Sequence, residues 1–475
     1  MPHDTGPWKR RWERLTGLGE PHPQSERVRY PNPVILKRLP TGRGATEQPN
    51  TTGDQDALLT PVFALAVVLT GIATGLLGDL LMVVLFGMEH LVFGTGPGDF
   101  QSHVEASSYS RRVISLMVAG AFGGPAWYLL RKYTKGEKSE VDEVIWAGDA
   151  KLSWRRSLAT GLISEVVIGM GASIGREAAP KLMGGVAGSL SSDWLKLSTE
   201  QRRLLVACGG GAGLAAVYNV PLGGAVFTAE ILVGSFALSV VLPAILCSGI
   251  ATAVAWIYLP NHATYTGIAD FRLSATIMVW ALVAGPVIGL FSSGYIRLVG
   301  YIAHHRLSGR KVLIGPFLAF TVLGLIGIAY PALFGNGKDM AHRAFLGEGS
   351  VLLLLALSAL KPLFTSLCGG SGASGGLFTP FMSTGAVFGA MTGVLWSMMW
   401  PGSPVGAFAL IGAAAMIGSA MQAPISGLVL VVELTQSGLD IMIPILAATF
   451  LATAVARQLD GYSIYSARLP SVDHA

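Results

Sequence analysis

Pro221-Leu-Gly-Gly-Ala-Val-Phe-Thr-Ala-Glu230 and Pro424-Ile-Ser-Gly-Leu-Val-Leu-Val-Val-Glu433 share one pattern, P-x-x-G-x5-E. In each, an amide side chain stands two residues before the proline, Asn219 in one and Gln422 in the other. Some forty residues upstream of each lies a second matched pair. Gly175-Arg-Glu-Ala-Ala-Pro180 leads to Gly185, and Gly375-Gly-Leu-Phe-Thr-Pro380 leads to Gly385. In a chain with 61 glycines and 25 prolines a single match would mean little. Two matched pairs in the same order mark an architecture built twice.

The charge map follows the same division. Between Arg203 and Asp270 the only charged residue is Glu230, and between Lys361 and Asp440 it is Glu433. Charged residues are 13% of the 475, against about 25% in soluble domains. Hydrophobic residues make up 51%, and mean hydropathy is +0.55. Those values exclude a soluble enzyme, a disordered scaffold and a collagen-like rod. They describe an integral membrane protein. A carboxylate at bilayer depth costs about 2.5–3.5 kcal/mol on insertion scales, so such residues face a cavity or the protein interior.

Net charge is +5, and the first 55 residues hold nine basic residues against six acidic ones. Such a tail lacks the aromatic interleaving of a nucleic-acid binder, and no nucleic-acid partner is expected. By the positive-inside rule it is read as a cytoplasmic tail, residues 1–55, of a multi-pass protein in the plasma (inner) membrane. No apolar run precedes residue 58, so no cleavable signal peptide is expected. Apolar runs at 58–86, 113–130, 236–258, 274–296, 312–333 and 441–456 approach or exceed the ~17 residues needed to span hydrocarbon. Those at 178–190, 221–232, 378–399 and 424–434 read as too short or too broken by Gly and Pro to span as one helix. Broken backbone at membrane depth must line protein or a watery cavity. The expected fold is all-α, one transmembrane domain over 56–470. Its two inverted structural repeats, 56–235 and 236–470, bring broken, tilted helices together at a midplane anion site. Ser198-Thr-Glu-Gln201 reads as a capping box.

Helix N-termini suit an anion. Each carries about half a positive charge and up to four unpaired N–H donors. Pro180 and Pro380 fall where a first helical turn tolerates a missing N–H. Glu177, beside Arg176, is open to two readings. It is either an acid that occupies the anion's place until protonated, or a structural acid paired with Arg176. Asp79 reads as a polar contact or helix-end residue, and Lys361 as a counter-ion to a buried acid or a snorkelling side chain. Cys208, Cys247 and Cys368 lie far apart and suggest neither a disulfide framework nor a metal site, and no Ser/His, paired-Asp or HExxH arrangement points to an enzyme.

At these residues the chain resembles the CLC family of chloride channels and proton-coupled chloride transporters. Gly175-Arg-Glu-Ala-Ala-Pro180 is similar to the family's GREGP motif, which implies a gating glutamate at Glu177. Gly376-Leu-Phe-Thr-Pro380 matches GxFxP and implies chloride-coordinating backbone at Leu377 and Phe378. Ile464-Tyr-Ser-Ala467 resembles the segment whose tyrosine hydroxyl coordinates chloride, here Tyr465. The resemblance implies chloride as transported ligand with no cofactor, protons as a second partner, surrounding lipid, and a homodimer with one pathway per subunit. Two departures stand out. The family's GSGIP motif reads Lys138-Ser-Glu-Val-Asp142, which keeps Ser139 as the implied ligand but surrounds it with charge. Where the family's transporters carry an inner proton-relay glutamate stands Ile231, leaving Glu230 as the candidate relay. Voltage- or pH-gated channel and H+/Cl− antiporter both fit; the alternative is an inverted-repeat transporter of another small anion, such as nitrate or an organic anion.

Overall fold

The computed structural model describes residues 59–138, 140–147 and 150–468. The 1–55 tail and Ser139 lie outside the described residues. Every regular element described is helical.

The first half begins with α1 (Pro61–Phe93), capped by Thr60, whose hydroxyl accepts from the Phe63 N–H with Pro61 at the first helical position. It continues through α2 (Phe100–Ala106), α3 (Tyr109–Tyr133), α4 (Val141–Ala147) and α5 (Trp154–Gly169). Then come α6 (Ala178–Trp194), α7 (Thr199–Tyr218) and α8 (Pro221–Phe227). Helix α9 (Leu238–Ala255), though beyond residue 235, packs back on α1, α7 and α8 and so belongs with this half. A π-helical turn, Thr228–Val233, extends α8. The second half repeats the order. It comprises α10 (Ala275–His304), α11 (Gly315–Ile326), α12 (Lys338–Phe345), α13 (Val351–Gly370), α14 (Phe378–Met399), α15 (Val405–Met421), α16 (Pro424–Thr435) and α17 (Met442–Leu459).

Packing partners match between the halves. Helix α1 packs on α9 as α10 packs on α17, and α6 lies on α7 as α14 lies on α15. Glycine makes these approaches possible. A Cβ on Gly385 would meet the Gly412 carbonyl oxygen at 2.6 Å, and one on Gly412 would meet that of Gly385 at 2.5 Å. Gly184 and Gly209 oppose each other in the same way between α6 and α7. Close backbone contact substitutes for a hydrophobic drive that lipid does not supply. The amides before each proline correspond too: Asn219 (φ 55°) and Gln422 (φ 57°) close α7 and α15 in the left-handed conformation. The capping box is formed, with Ser198 and Gln201 each accepting from the other's N–H.

Among the described residues, eight helices are long and apolar enough to cross a membrane. The structure corrects two expected segments. The run at 378–399 is one continuous helix of 22 residues. Its Gly385, Gly389 and Gly393 fall one turn apart on the face packed against α15, so they serve contact rather than breakage. The run at 312–333 is a candidate span that ends early: the helical stretch long and apolar enough to cross is Gly309–Ile326, and a 3-10 turn begun by Pro331 follows it.

Candidate functional site

The two motif loops meet face to face. Gly175 and Gly376 exchange backbone hydrogen bonds, Gly175 N–H to Gly376 O at 2.8 Å and Gly376 N–H to Gly175 O at 2.7 Å. This antiparallel bridge sets the N-termini of α6 and α14 side by side, with Glu177 and Leu377 at the corresponding cap positions.

Glu177 is buried, and its carboxylate reaches across to the other half. The Phe378 N–H donates to Glu177 Oε1 at 2.7 Å, and the Thr379 hydroxyl donates to Oε2 at 3.2 Å. The carboxylate therefore sits on the open N-terminus of α14, where a free anion would bind. A Cβ on either Gly175 or Gly376 would collide with it, so both glycines are required by the approach. The carboxylate contacts lie with Phe378, Thr379 and Tyr218 rather than with a bridge to Arg176. The Arg176 guanidinium instead lies 4.9 Å from the Tyr218 ring centroid.

The reading of the sequence missed Tyr218 and Thr379. Their hydroxyls are 2.7 Å apart, and Tyr218 Oη lies 3.5 Å from Glu177 Oε2. Thr379 stands inside the quoted motif, and Tyr218 ends α7 just before Asn219, but nothing in their spacing announces that they meet.

Buried cations hold the loops on both sides. Lys361 is 0% exposed and forms no ion pair with an acid among the described residues. Its ammonium donates to Ser173 Oγ (2.9 Å), Leu333 O (3.2 Å) and Gly335 O (2.7 Å), using its three protons on neutral oxygens. It is neither counter-ion nor snorkelling residue. Arg306 donates to the Gly372 and Ala373 carbonyls, and Arg131 to Gly372, ahead of Gly375. Asp79 also departs from expectation: it is buried within α1, and neither carboxylate oxygen has a hydrogen-bond partner among the described residues.

A cavity of about 60 Å3 adjoins Glu177 and brings it together with Leu377, Phe378, Tyr465, Lys181 and Asp142. It continues into a second of about 170 Å3, where Asp142, Leu377 and Tyr465 recur and Arg306 joins Arg468. A third, of about 180 Å3, lies beyond Arg176 among Glu89, Asp99, Lys338 and Asp339. Tyr465 Oη lies 3.9 Å from Met421 Sδ, and its ring stands edge-on to Phe227.

Glu230 does not line these cavities. It accepts from the Ile425 N–H (3.3 Å) and the Ser426 N–H (2.6 Å) at the start of α16. Glu433 does the same for α8, accepting from Leu222 (3.1 Å) and Gly223 (2.6 Å).

The sequence model of the family described as "Voltage gated chloride channel" matches residues 113–457. The chain belongs to that family. Relatives within the voltage gated chloride channel family include the H(+)/Cl(-) exchange transporter ClcA of Vibrio campbellii (strain ATCC BAA-1116), 26% identical over 446 residues, 91% of this chain and 93% of that protein. ClcA of Vibrio parahaemolyticus serotype O3:K6 (strain RIMD 2210633) is 29% identical over 366 residues, 74% of this chain and 78% of its own. Among solved structures, a slow cyanobacterial Cl-/H+ antiporter superposes with a TM-score of 0.75 at 22% identity, over 86% of this chain and 97% of that one. A CLC-type fluoride/proton antiporter superposes with a TM-score of 0.70 at 19% identity, over 90% and 100%. These likenesses establish the fold of this voltage gated chloride channel family member: an all-helical membrane protein built from two repeats.

Proposed function

We propose that this chain carries chloride across the membrane in exchange for protons, with Glu177 as the gate both ions share. The observation that carries the reading is the Glu177 carboxylate on the Phe378 N–H at the head of α14. A protonated side chain loses its hold on that donor and leaves it to chloride, so one movement couples the two ions. Backbone N–H groups at Leu377 and Phe378 attract an anion without the full positive charge that would trap it. The Tyr465 hydroxyl and Ser139 act as further ligands. The relatives named as H(+)/Cl(-) exchange transporters support exchange over a purely passive channel.

In this reading the 1–55 tail is cytoplasmic, the protein resides in the plasma (inner) membrane, and it works as a homodimer with one pathway per chain. The transport domain occupies 56–470, and neither half acts alone because Glu177 of one meets Phe378 of the other. Glu230, occupied at the head of α16, serves the frame; water in the second cavity takes the place of a side-chain relay.

Reconstitution into liposomes with a chloride gradient tests the proposal. Chloride efflux is expected once a potassium ionophore clamps the voltage. A reversal potential that follows the proton gradient as well as the chloride gradient marks exchange; one that follows chloride alone replaces it with a channel.

A further inference from the structure

The charged segment 138–142 departs from the family motif, and Asp142 meets a cation in the pathway. Lys181 Nζ lies 2.6 Å from Asp142 Oδ2, with both side chains mostly buried, at 13% and 16% exposure. The ammonium also stands 4.5 Å from the Tyr465 ring centroid. Lys181 follows Pro180 in the first turn of α6, a position where the helix dipole repels a cation. A lysine there needs a negative partner. Asp142 lines both the cavity containing Glu177 and the one beyond it, whereas Lys181 lines only the first. Other charged groups at this junction are Glu140 and Arg468.

We propose that Lys181 is an anion-binding side chain of the pathway and that Asp142 is its tethered competitor, a second carboxylate gate at the junction of the two cavities. The inference rests on the transport reading above. A bare ammonium beside a pathway binds an anion too firmly to release it. A carboxylate on a short tether cancels that charge when the site is empty. An incoming small anion such as chloride exchanges with Asp142 on Lys181, stays beside Tyr465, and is expelled when Asp142 returns. Glu177 does the same on the Phe378 N–H, so an anion in the first cavity lies between two tethered carboxylates. No bond is made or broken; only ion-pair partners change.

Isothermal titration of chloride into the full-length protein in detergent tests this without requiring transport. Asp142→Asn frees Lys181 and is expected to tighten chloride binding on the order of tenfold, while slowing turnover in liposomes. Lys181→Met is expected to weaken binding by about the same factor. A mere structural tie would move both variants in one direction, because either change breaks the same pair. Opposite shifts support the proposal; shifts of the same sign, or none, with a wild type that binds chloride, overturn it alone. A wild type that binds no chloride overturns the transport reading together with it. Asp142→Ser and Lys181→Gln provide the same comparison if the first pair fails to fold.

Discussion

Glu230 and Glu433 are exchanged between the two halves: each caps the helix that begins with the other half's proline motif. Glu230 accepts from two N–H groups at the head of α16, and Glu433 from two at the head of α8, with one bond of 2.6 Å in each case. Pro221 and Pro424 have no N–H to offer, so the next donors take the carboxylate. The duplicated glutamate is thus a latch that ties half to half. Losing an N-cap acceptor costs about 0.5–2 kcal/mol. Glu230→Ala and Glu433→Ala should therefore each lower the thermal unfolding temperature in detergent by similar amounts. Proton coupling separates this from a relay. Glu230→Gln and Glu433→Gln should leave the proton-to-chloride ratio alike, whereas a relay at Glu230 would make Glu230→Gln alone lose proton flux.

Glu177→Gln keeps the shape of the proposed gate and removes its charge. The neutral amide no longer competes as an anion for the Phe378 N–H. Chloride flux should persist and lose its rise at low pH, while proton movement falls to the level of empty liposomes. Proton uptake driven by a chloride gradient, followed with a pH-sensitive dye, checks this; residual uptake would remove Glu177 from the shared role.

The glycine that admits the Glu177 carboxylate allows a sharper comparison. A Cβ at Gly376 collides with the Glu177 carboxylate, and overpacking a tight site costs about 1–3 kcal/mol. Gly376→Ala should destabilise the wild type by that order. In a Glu177→Ala background the collision is absent, so the same change should be nearly neutral. Unfolding temperatures of the four proteins in this double-mutant cycle give the coupling. Additive effects would mean that the alanine acts on the Gly175–Gly376 bridge instead.

Particular residues show how much the sequence alone makes legible. Pro221, Glu230, Pro424 and Glu433 stand out because proline, glycine and isolated acids are rare events in an apolar background, and their spacing repeats. The meeting of Glu177 with Phe378 is visible only as two motifs; the backbone bridge that joins them depends on long-range topology. Tyr218 and Thr379 escape because a hydroxyl leaves no spacing signature. Lys361 stands out but is misread, because a lysine satisfied by neutral oxygens looks in sequence like one awaiting an acid. The 378–399 run misled because glycine on a helix face has the same composition as glycine at a break. Only the partner helix distinguishes them.

Lys361 carries the next expectation. Methionine in its place removes the ammonium and strands Ser173 Oγ and two carbonyl oxygens. Each stranded group costs about 1–3 kcal/mol when water cannot reach it. Because Ser173 leads into the loop that carries Glu177, Lys361→Met should lower both the melting temperature and the initial rate of chloride efflux. Unchanged efflux in a destabilised protein would confine the role of Lys361 to folding.

Glu165 on α5 runs the other way. It is 0% exposed, and neither of its carboxylate oxygens has a hydrogen-bond partner among the described residues. An acid so placed forfeits its solvation without recovering it from protein donors. Leucine has a similar volume and no polar atoms to satisfy. Glu165→Leu should therefore stabilise the fold, by about 1–3 kcal/mol if the whole cost of the stranded group is recovered. The chloride efflux rate provides the second reading. Stabilisation with normal efflux makes Glu165 an ordinary burial cost. Stabilisation with slowed proton movement would show that the chain tolerates that cost because a protonatable side chain is needed near Glu177. A fall in melting temperature would contradict the premise, since it would require the carboxylate to be engaged in the native protein.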